Sequence, residues 1–331
     1  MNITRNIQTL LLVGLAATQF ALTATADSAG SSNQVHYKTI DIDGVEIFYR
    51  EAGSPEAPTL LLLHGFPTSS HMFRNLIDDL KEDYHLIAPG YPGFGNSAQP
   101  PIDEFEYSFD HFAEIVTEFT EVLERNSYSL YLMDYGAPVG FRVAVAHPER
   151  VDSLIIQNGN AYDEGLLAFW DPIKTYWNER TAANAEPLTG FISLEGVEWQ
   201  YTHGVRNPET ISPDNWNNDL RHLSREGNPQ IQLQLFYDYG TNPGHYPAWQ
   251  AYFREHQPRT LIVWGKNDFI FPAEGAFPYQ RDLNNVDFNH STRATSPSKR
   301  TAQSSRHTSP ASYLNNHETT TPPIHRSKRP R

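Results

Sequence analysis

Residues 129–140, SLYLMDYGAPVG, constrain the fold of this chain more than any other stretch. The first five residues are an apolar run typical of a buried strand, and Asp134 and Gly136 follow at once. Pro138 then opens a helical run that ends before His147-Pro148, because proline is tolerated in a first helical turn and the residue before a proline leaves the helical region. The pattern predicts a strand, a sharp turn and a helix, with one carboxylate in the turn.

Two interpretations of Asp134 are open on this stretch alone. Asp is among the best helix N-caps, so its side chain could simply satisfy the first amides of the helix. A tight strand-to-helix turn with small neighbours also lifts one side chain above the sheet edge, which is the geometry of a nucleophile elbow. The rest of the chain has to decide between them.

Composition excludes several classes of site. The chain has 331 residues, of which 39% are hydrophobic, enough for one large domain or a domain with an insertion. It has no Cys, so a disulfide framework, a thiol nucleophile and a thiolate metal site are all excluded. Its net charge of −14 argues against nucleic acid as the main partner.

The two ends of the chain differ from its middle. Residues 1–26 resemble a signal peptide, with Arg5, an apolar stretch over 7–21 and Ala24-Thr25-Ala26 before a cleavage point. The alternative, a membrane anchor, needs a longer apolar run. We therefore expect a secreted or periplasmic protein that has no membrane segment once the signal is removed. A polar linker, 27–34, follows.

From His36 to Gln157 short apolar runs alternate with helical patterns. Asp43-Gly44 is a hairpin signal between two predicted strands, 38–43 and 45–51. The further predicted strands and helices are 59–63, 72–80, 85–89, 109–126 and 151–157. Alternation of this kind predicts an α/β fold, a mostly parallel sheet flanked by helices.

The alternation stops after Gln157. Residues 158–257 are rich in Trp and Tyr and indicate helices and loops, and a strand pattern resumes at Thr260–Trp264. We expect a helical lid over the carboxyl edge of the sheet, where ligands of such sheets bind. The predicted organisation is a first core part (35–157), the lid (158–257), a second core part (258–288) and a disordered basic tail (289–331).

Three motifs each follow a predicted strand: His64-Gly65-Phe66-Pro67, Asp134-Tyr135-Gly136 and Asp268. With the lid between the last two, the chain resembles the α/β-hydrolase fold, in the branch of epoxide hydrolases and haloalkane dehalogenases. The resemblance extends from about His36 to Phe288 and favours the elbow interpretation of Asp134.

The resemblance implies a specific chemistry. Asp134 would attack an sp³ carbon and form an ester with the enzyme, which water activated by a His then hydrolyses. Asp268 would orient that His, and the backbone N–H groups of Phe66 and Tyr135 would form an oxyanion hole. His64 is more typical of a buried structural residue than of the base. No metal or cofactor is implied, and the substrate would be a small, largely apolar molecule.

The leaving group distinguishes the two enzyme classes. Dehalogenases of this branch bind halide with side-chain N–H donors, and Tyr135 and Phe66 stand where those donors are common. Epoxide opening needs an acid instead, supplied in that family by lid tyrosines; Tyr201, Tyr237 and Tyr239 are candidates by location. An epoxide hydrolase is therefore expected, the alternatives being a haloalkane dehalogenase or a non-catalytic ligand binder.

The family's catalytic His is missing after Asp268. Residues 289–331 hold eight Lys or Arg, one acid and few large apolar groups, so we expect the last strand and helix to be replaced by a disordered tail. Allowed codons for Asn289 to Lys299, read after dropping two bases, permit Pro-Leu-Asp-Thr-Gly-His-Phe-Ala-Leu-Glu. We hypothesise a frameshift after about Phe288, which impairs the enzyme. His290 is the nearby substitute, without the glycine turn.

Overall fold

One eight-stranded sheet organises residues 34–291, the part of the chain that the computed structural model describes. The order of the strands is β1-β2-β4-β3-β5-β6-β7-β8; β2 is antiparallel to β1 and β4, and all other pairs are parallel. The strands are β1 (His36–Ile42), β2 (Val45–Ala52), β3 (Thr59–Leu63), β4 (His85–Pro89), β5 (Tyr128–Met133), β6 (Val151–Gln157), β7 (Arg259–Gly265) and β8 (Val286–Ser291). The predicted mostly parallel sheet is confirmed.

Several sequence predictions fall on residues outside 34–291. These are the signal segment (1–26), the linker (27–34) except its last residue, and the tail (289–331) from residue 292 onward. The export prediction, the frameshift hypothesis and the loss of the final helix therefore stay predictions.

The predicted hairpin joins β1 and β2. Asp43 and Gly44 both adopt positive φ, +51° and +82°, and a two-residue hairpin turn of this twist requires that conformation at both positions. Ile42 and Val45 are paired across the turn, which fixes the register of the whole antiparallel edge.

Helices cover both faces of the sheet. The α-helices are α1 (Arg74–Leu80), α2 (Phe109–Val122), α3 (Gly136–Ala146), α4 (Asp171–Asn178), α5 (Ala182–Ala185), α6 (Leu194–Thr202), α7 (Asp214–Leu223), α8 (Asn228–Asp238), α9 (Asn242–His256) and α10 (Tyr279–Asp282). β3 shows how they share the sheet: Leu61 and Leu63 point into the core with α2 and α3, whereas Leu60 and Leu62 point into the core with α1. This alternation follows from the period of two in a strand. Within residues 34–291 no helix is long and apolar enough to cross a membrane.

The lid forms between β6 and β7. Helices α4 to α9 and short 3₁₀ turns make up this segment, and its aromatic residues pack onto the loops that follow the strands. Phe236 contacts Phe66 with 5.0 Å between ring centroids, and Tyr239 contacts Tyr135 at 6.0 Å. The lid therefore covers the carboxyl edge of β3 and β5.

The expectation that the last strand is lost is wrong. β8 pairs in parallel with β7 over six residues, so Asn289, His290 and Ser291 belong to a strand and not to a tail. An edge strand needs backbone hydrogen bonds to only one neighbour, and Val286 and Phe288 also pack against the core. These two apolar side chains and the β7 ladder stabilise the strand.

Candidate active site

Asp134 occupies the turn between β5 and α3. Its φ of +53° lies in the left-handed region, which costs a non-glycine residue roughly 1–2 kcal/mol. Gly136 begins α3, two residues before the predicted Pro138, and a Cβ on Gly136 would lie 2.1 Å from the carbonyl oxygen of Leu63. Glycine therefore lets the helix approach β3 closely, and the turn holds the Asp134 carboxyl above the sheet edge.

The side chain of Asp134 does not cap α3. Its Oδ1 accepts hydrogen bonds from the backbone N–H of Phe66 at 2.8 Å and of Tyr135 at 2.6 Å, and the residue in the N-cap position is Tyr135, without a side-chain cap. The capping interpretation is thus wrong. The two amides predicted for the oxyanion hole converge on one oxygen, whereas Oδ2 accepts no hydrogen bond from residues 34–291.

Burial dominates the protonation of Asp134. The residue is 7% exposed, and this desolvation raises its pKa from 3.8 to about 7. The amides of Phe66 and Tyr135 act in the opposite direction, and the neighbouring charge of Asp268 raises the pKa further. The carboxyl is therefore divided between its acid and its anion near neutral pH.

Asp268 follows β7 and is anchored at both oxygens. Oδ1 accepts from the backbone N–H groups of Ile270 and Phe271, each at 2.9 Å, and Oδ2 accepts from the amide of Asn158 at 2.7 Å. The predicted motifs do not include Asn158. Its position directly after β6, at the same sheet edge, is the signal that would have found it. This network holds the Asp268 carboxyl in one orientation beside the elbow.

His64 is a structural residue at this edge. Its Nδ1 faces the carbonyl of Gly65 at 3.1 Å, and its Nε2 accepts from the backbone N–H of Tyr91 at 3.2 Å. The side chain is fully buried, which lowers its pKa to about 4. Both ring nitrogens are occupied by backbone groups, so His64 is not placed to act as a base.

A largely apolar cavity lies between the elbow and the lid. Its empty volume is about 430 Å³ with the mouth included. Asp134, Tyr135, Gln200 and Tyr239 provide its polar groups. The remaining lining side chains are hydrophobic: Phe66, Phe169, Trp170, Ile173, Phe191, Phe236, Ile270 and Phe271. Such a cavity suits a small neutral ligand next to a single carboxyl.

Comparison with known proteins identifies the family. A family model described as alpha/beta hydrolase fold matches residues 58–299. The chain belongs to the α/β-hydrolase fold family. The expected fold and family are thereby confirmed.

The relatives of this α/β-hydrolase include an uncharacterized hydrolase and an epoxide hydrolase, and a haloalkane dehalogenase shares its fold. An uncharacterized hydrolase of Saccharomyces cerevisiae is 42% identical over 248 residues, which cover 74% of this chain and 85% of that protein. Epoxide hydrolase 2 of Caenorhabditis elegans is 25% identical over 251 residues, 73% of this chain and 69% of its own. The crystal structure of haloalkane dehalogenase DbeA from Bradyrhizobium elkani shares the fold, with a TM-score of 0.65, 20% identity and coverage of 80% of this chain and 91% of that one.

The three candidate lid tyrosines of the α/β-hydrolase lie in different surroundings. Tyr239 lines the cavity together with Asp134, and its hydroxyl makes no hydrogen bond within residues 34–291. Tyr201 is buried and donates to Asp219 in α7. Tyr237 is half-buried and packs under the guanidinium of Arg180, which is 4.7 Å from its ring centroid. Of the three, the structure brings only Tyr239 to the cavity.

Side-chain N–H groups in the cavity wall are already engaged. The indole N–H of Trp170 donates to the carbonyl of Ile270 at 2.7 Å. The amide of Gln200 donates to the carbonyls of Phe191 and Gly196, at 3.0 Å each. Among the described lining residues, no side-chain N–H is left to bind a halide ion.

His290, the suggested substitute base, lies in β8. Its Cα pairs with that of Trp264 in β7, the strand that leads to Asp268. Its place in a strand differs from the loop position in which the family carries the catalytic His.

Proposed function

We propose that this α/β-hydrolase opens epoxides through a covalent ester on Asp134. The observation that carries the proposal is that the two oxygens of the Asp134 carboxyl differ in their hydrogen bonding. Oδ1 is held by the amides of Phe66 and Tyr135, and Oδ2 accepts no hydrogen bond from residues 34–291 and belongs to a residue that lines a largely apolar cavity. A desolvated carboxylate that is fixed by one oxygen can present the other as a nucleophile.

The first step balances with the groups of the cavity. Oδ2 forms a bond to a ring carbon of the epoxide, and the bond from that carbon to the ring oxygen breaks. The departing alkoxide takes the proton of the Tyr239 hydroxyl, which lines the same cavity. The product of this step is a hydroxyalkyl ester of Asp134.

The second step regenerates the carboxyl. Water adds to the ester carbonyl carbon, negative charge develops on Oδ1, and the N–H groups of Phe66 and Tyr135 stabilise it. The bond from the carboxyl carbon to Oδ2 then breaks, Oδ2 leaves as a hydroxyl of the diol after taking a proton, and the oxygen of the water replaces it in the carboxyl. A base has to take the proton of that water. A frameshift after about Phe288 would remove the residue that acts as this base. We therefore propose that the second step is slow in the present chain.

Epoxides are favoured over haloalkanes by the hydrogen-bond donors. A departing halide needs N–H groups, and those of Trp170 and Gln200 are bound to backbone carbonyls. An alkoxide needs an acid, and the Tyr239 hydroxyl is without a partner in residues 34–291. The relationship to an epoxide hydrolase of Caenorhabditis elegans supports the same choice.

Intact-mass spectrometry tests the proposal directly. We expect incubation with styrene oxide to add one epoxide mass per chain, located by peptide mapping at Asp134 and persisting for hours. The absence of Cys keeps background alkylation low. Asp134→Asn, a neutral isostere, should not form the adduct. Rapid multiple turnover without an adduct would contradict the slow second step, and an adduct that survives in Asp134→Asn would contradict the nucleophile.

Two further measurements separate the alternatives. Halide release from 1-bromobutane, absent in Asp134→Asn, would indicate a dehalogenase. Unchanged ligand binding with no reaction in either form would indicate a non-catalytic binder.

Resequencing the gene over codons 286–300 tests the frameshift, and an independently confirmed uninterrupted frame would exclude it.

A further inference from the structure

Gln200 is a polar residue in the lid wall of an otherwise largely apolar cavity. It lies near the end of α6 and lines the same space as Asp134. The side chains of Asp134 and Tyr239 have roles in the proposed reaction, and Tyr135 contributes to it through its backbone N–H. Gln200 has none, and it contributes an amide whose orientation is fixed by its surroundings.

Two backbone carbonyls determine which way this amide is turned. Nε2 donates one hydrogen to the carbonyl of Phe191 and the other to that of Gly196, both at 3.0 Å. Reversing the amide would set its oxygen against two carbonyl oxygens, so the hydrogen-bond network assigns Nε2 to this side. Oε1 is therefore held as an acceptor, and no group in residues 34–291 donates to it.

We propose that Gln200 is a specificity-determining residue that selects epoxides carrying a hydrogen-bond donor, such as a hydroxyl group, beside the ring. This inference rests on the proposed function, since it assumes that the ligand occupies the cavity above Asp134. A donor on the ligand would satisfy Oε1, the ring oxygen would face the Tyr239 hydroxyl, and an aryl or alkyl group would contact the aromatic wall.

The effect of the Gln200 acceptor on ligand binding can be distinguished from the effect of a purely apolar cavity. In an entirely apolar cavity a ligand hydroxyl is unfavourable, because it loses its hydrogen bonds to water. With Oε1 as a partner, the hydroxyl gains a hydrogen bond, and a ligand without a donor leaves the amide oxygen unsatisfied. The two cases predict opposite orders of affinity for a pair of ligands that differ in one hydroxyl group.

Cinnamyl alcohol and trans-β-methylstyrene form such a pair. They are the unreactive alkenes of 3-phenylglycidol and 1-phenylpropylene oxide, and they differ only in the terminal hydroxyl. Isothermal titration calorimetry on the full chain should give cinnamyl alcohol a Kd about tenfold lower than that of trans-β-methylstyrene. An equal Kd, or tighter binding of trans-β-methylstyrene, would overturn the inference without any variant.

Gln200→Met supplies the second test. Met keeps the length of the side chain and favours a helix, but it offers no acceptor, so the preference for cinnamyl alcohol should be lost or reversed. Gln234→Met is the matched control: Gln234 is a half-buried glutamine of the lid that donates to the carbonyl of Tyr107 and does not line the cavity. Thermal unfolding should show that Gln200→Met is folded. If this folded variant still prefers cinnamyl alcohol, the proposed role of Gln200 is contradicted.

Failure of the inference and failure of the proposed function give different results. If the alkenes differ as expected but neither epoxide forms an adduct on Asp134, the selectivity stands and the chemistry is wrong. If both epoxides form the adduct at equal rates and the alkenes bind equally, the chemistry stands and the role of Gln200 is wrong.

Discussion

Gly65 and Asp134 are packed so closely that a Cβ on Gly65 would lie 2.2 Å from both Cβ and Oδ1 of Asp134. This approach is what allows the next amide, that of Phe66, to reach Oδ1 at 2.8 Å. The glycine of the loop after β3 is thus required by the carboxyl at the end of β5. The two neighbouring strand ends form one unit.

Gly65→Ala should therefore damage the site more than the fold. The added methyl has to displace Asp134 or the loop, and the bond from Phe66 to Oδ1 is lost. We expect the rate of adduct formation to fall about 10²–10³-fold, the usual effect of losing one oxyanion-hole donor. Stability should fall by about 1–3 kcal/mol, as in other overpacked sites. Intact-mass kinetics and urea unfolding measure the two effects.

The matched control for this substitution is Gly244→Ala. Gly244 lies in the first turn of α9, and a Cβ there would meet no atom within 4 Å. Alanine should leave adduct formation unchanged and stabilise the helix by about 0.5–1 kcal/mol. Equal behaviour of the two alanine variants would refute the packing argument.

Tyr239→Phe tests the proposed acid. Phe keeps the ring that packs on Trp170, with 4.7 Å between centroids, and removes only a hydroxyl that makes no hydrogen bond in residues 34–291. Stability should change little, whereas the rate of epoxide opening should fall about 10²–10⁴-fold. Tyr237→Phe lies outside the cavity and should react at the wild-type rate. A wild-type rate in Tyr239→Phe would mean that another group supplies the proton.

The pKa of Asp134 predicts how its reaction depends on pH. Only the anion attacks, and burial raises the pKa of this carboxyl to about 7. The rate of adduct formation should therefore increase about tenfold per pH unit below pH 6 and become constant above about pH 8. Stopped incubations with styrene oxide between pH 5 and 9, followed by mass spectrometry, measure this. A rate that is constant from pH 5 upward would mean that Asp134 has an ordinary pKa.

Strands could be predicted more accurately than helix ends. The observed bounds of β3, β4 and β6 are those predicted, and β3 shows the continuous hydrophobic run expected of a strand covered on both faces. The helix predicted to reach Asn126 ends instead at Val122. Glu124 there adopts a φ of +56°, and the amide of Arg125 bonds back to the carbonyl of Thr120. Glycine is the usual signal for such an ending, and this one has none.

The candidate site could likewise be predicted only in part from the sequence. Asp134, Phe66 and Asp268 each follow a parallel strand, so the topology alone predicts that they meet at one edge. Tyr239 could not be distinguished from the other lid tyrosines, because the direction of a lid side chain depends on how helices pack and not on a local motif. The amide orientation of Gln200 likewise depends on two carbonyls that only the folded lid brings together.

Asp219 provides a prediction about stability that is independent of the reaction. It lies in α7, is 2% exposed and accepts a hydrogen bond from the Tyr201 hydroxyl. Burial raises its pKa from 3.8 to about 7, against the effect of the hydrogen bond from Tyr201. At a pH between these two pKa values, the Asp219 carboxyl is ionised in the unfolded chain and protonated in the folded chain. Ionisation therefore favours the unfolded chain, and Asp219 makes the protein less stable as the pH rises from about 4 to about 7.

Asp219→Asn should remove this contribution, because the amide stays neutral and its oxygen still accepts from Tyr201. The free energy of unfolding of the variant, relative to wild type, should therefore rise between pH 4.5 and 7.5, by at most about 4 kcal/mol. Urea unfolding at steps of one pH unit measures the difference. Asp134 adds a contribution of the same sign, so the variant should keep part of the pH dependence. Parallel stability curves for the two proteins over this range would show that the Asp219 carboxyl ionises normally in the folded lid.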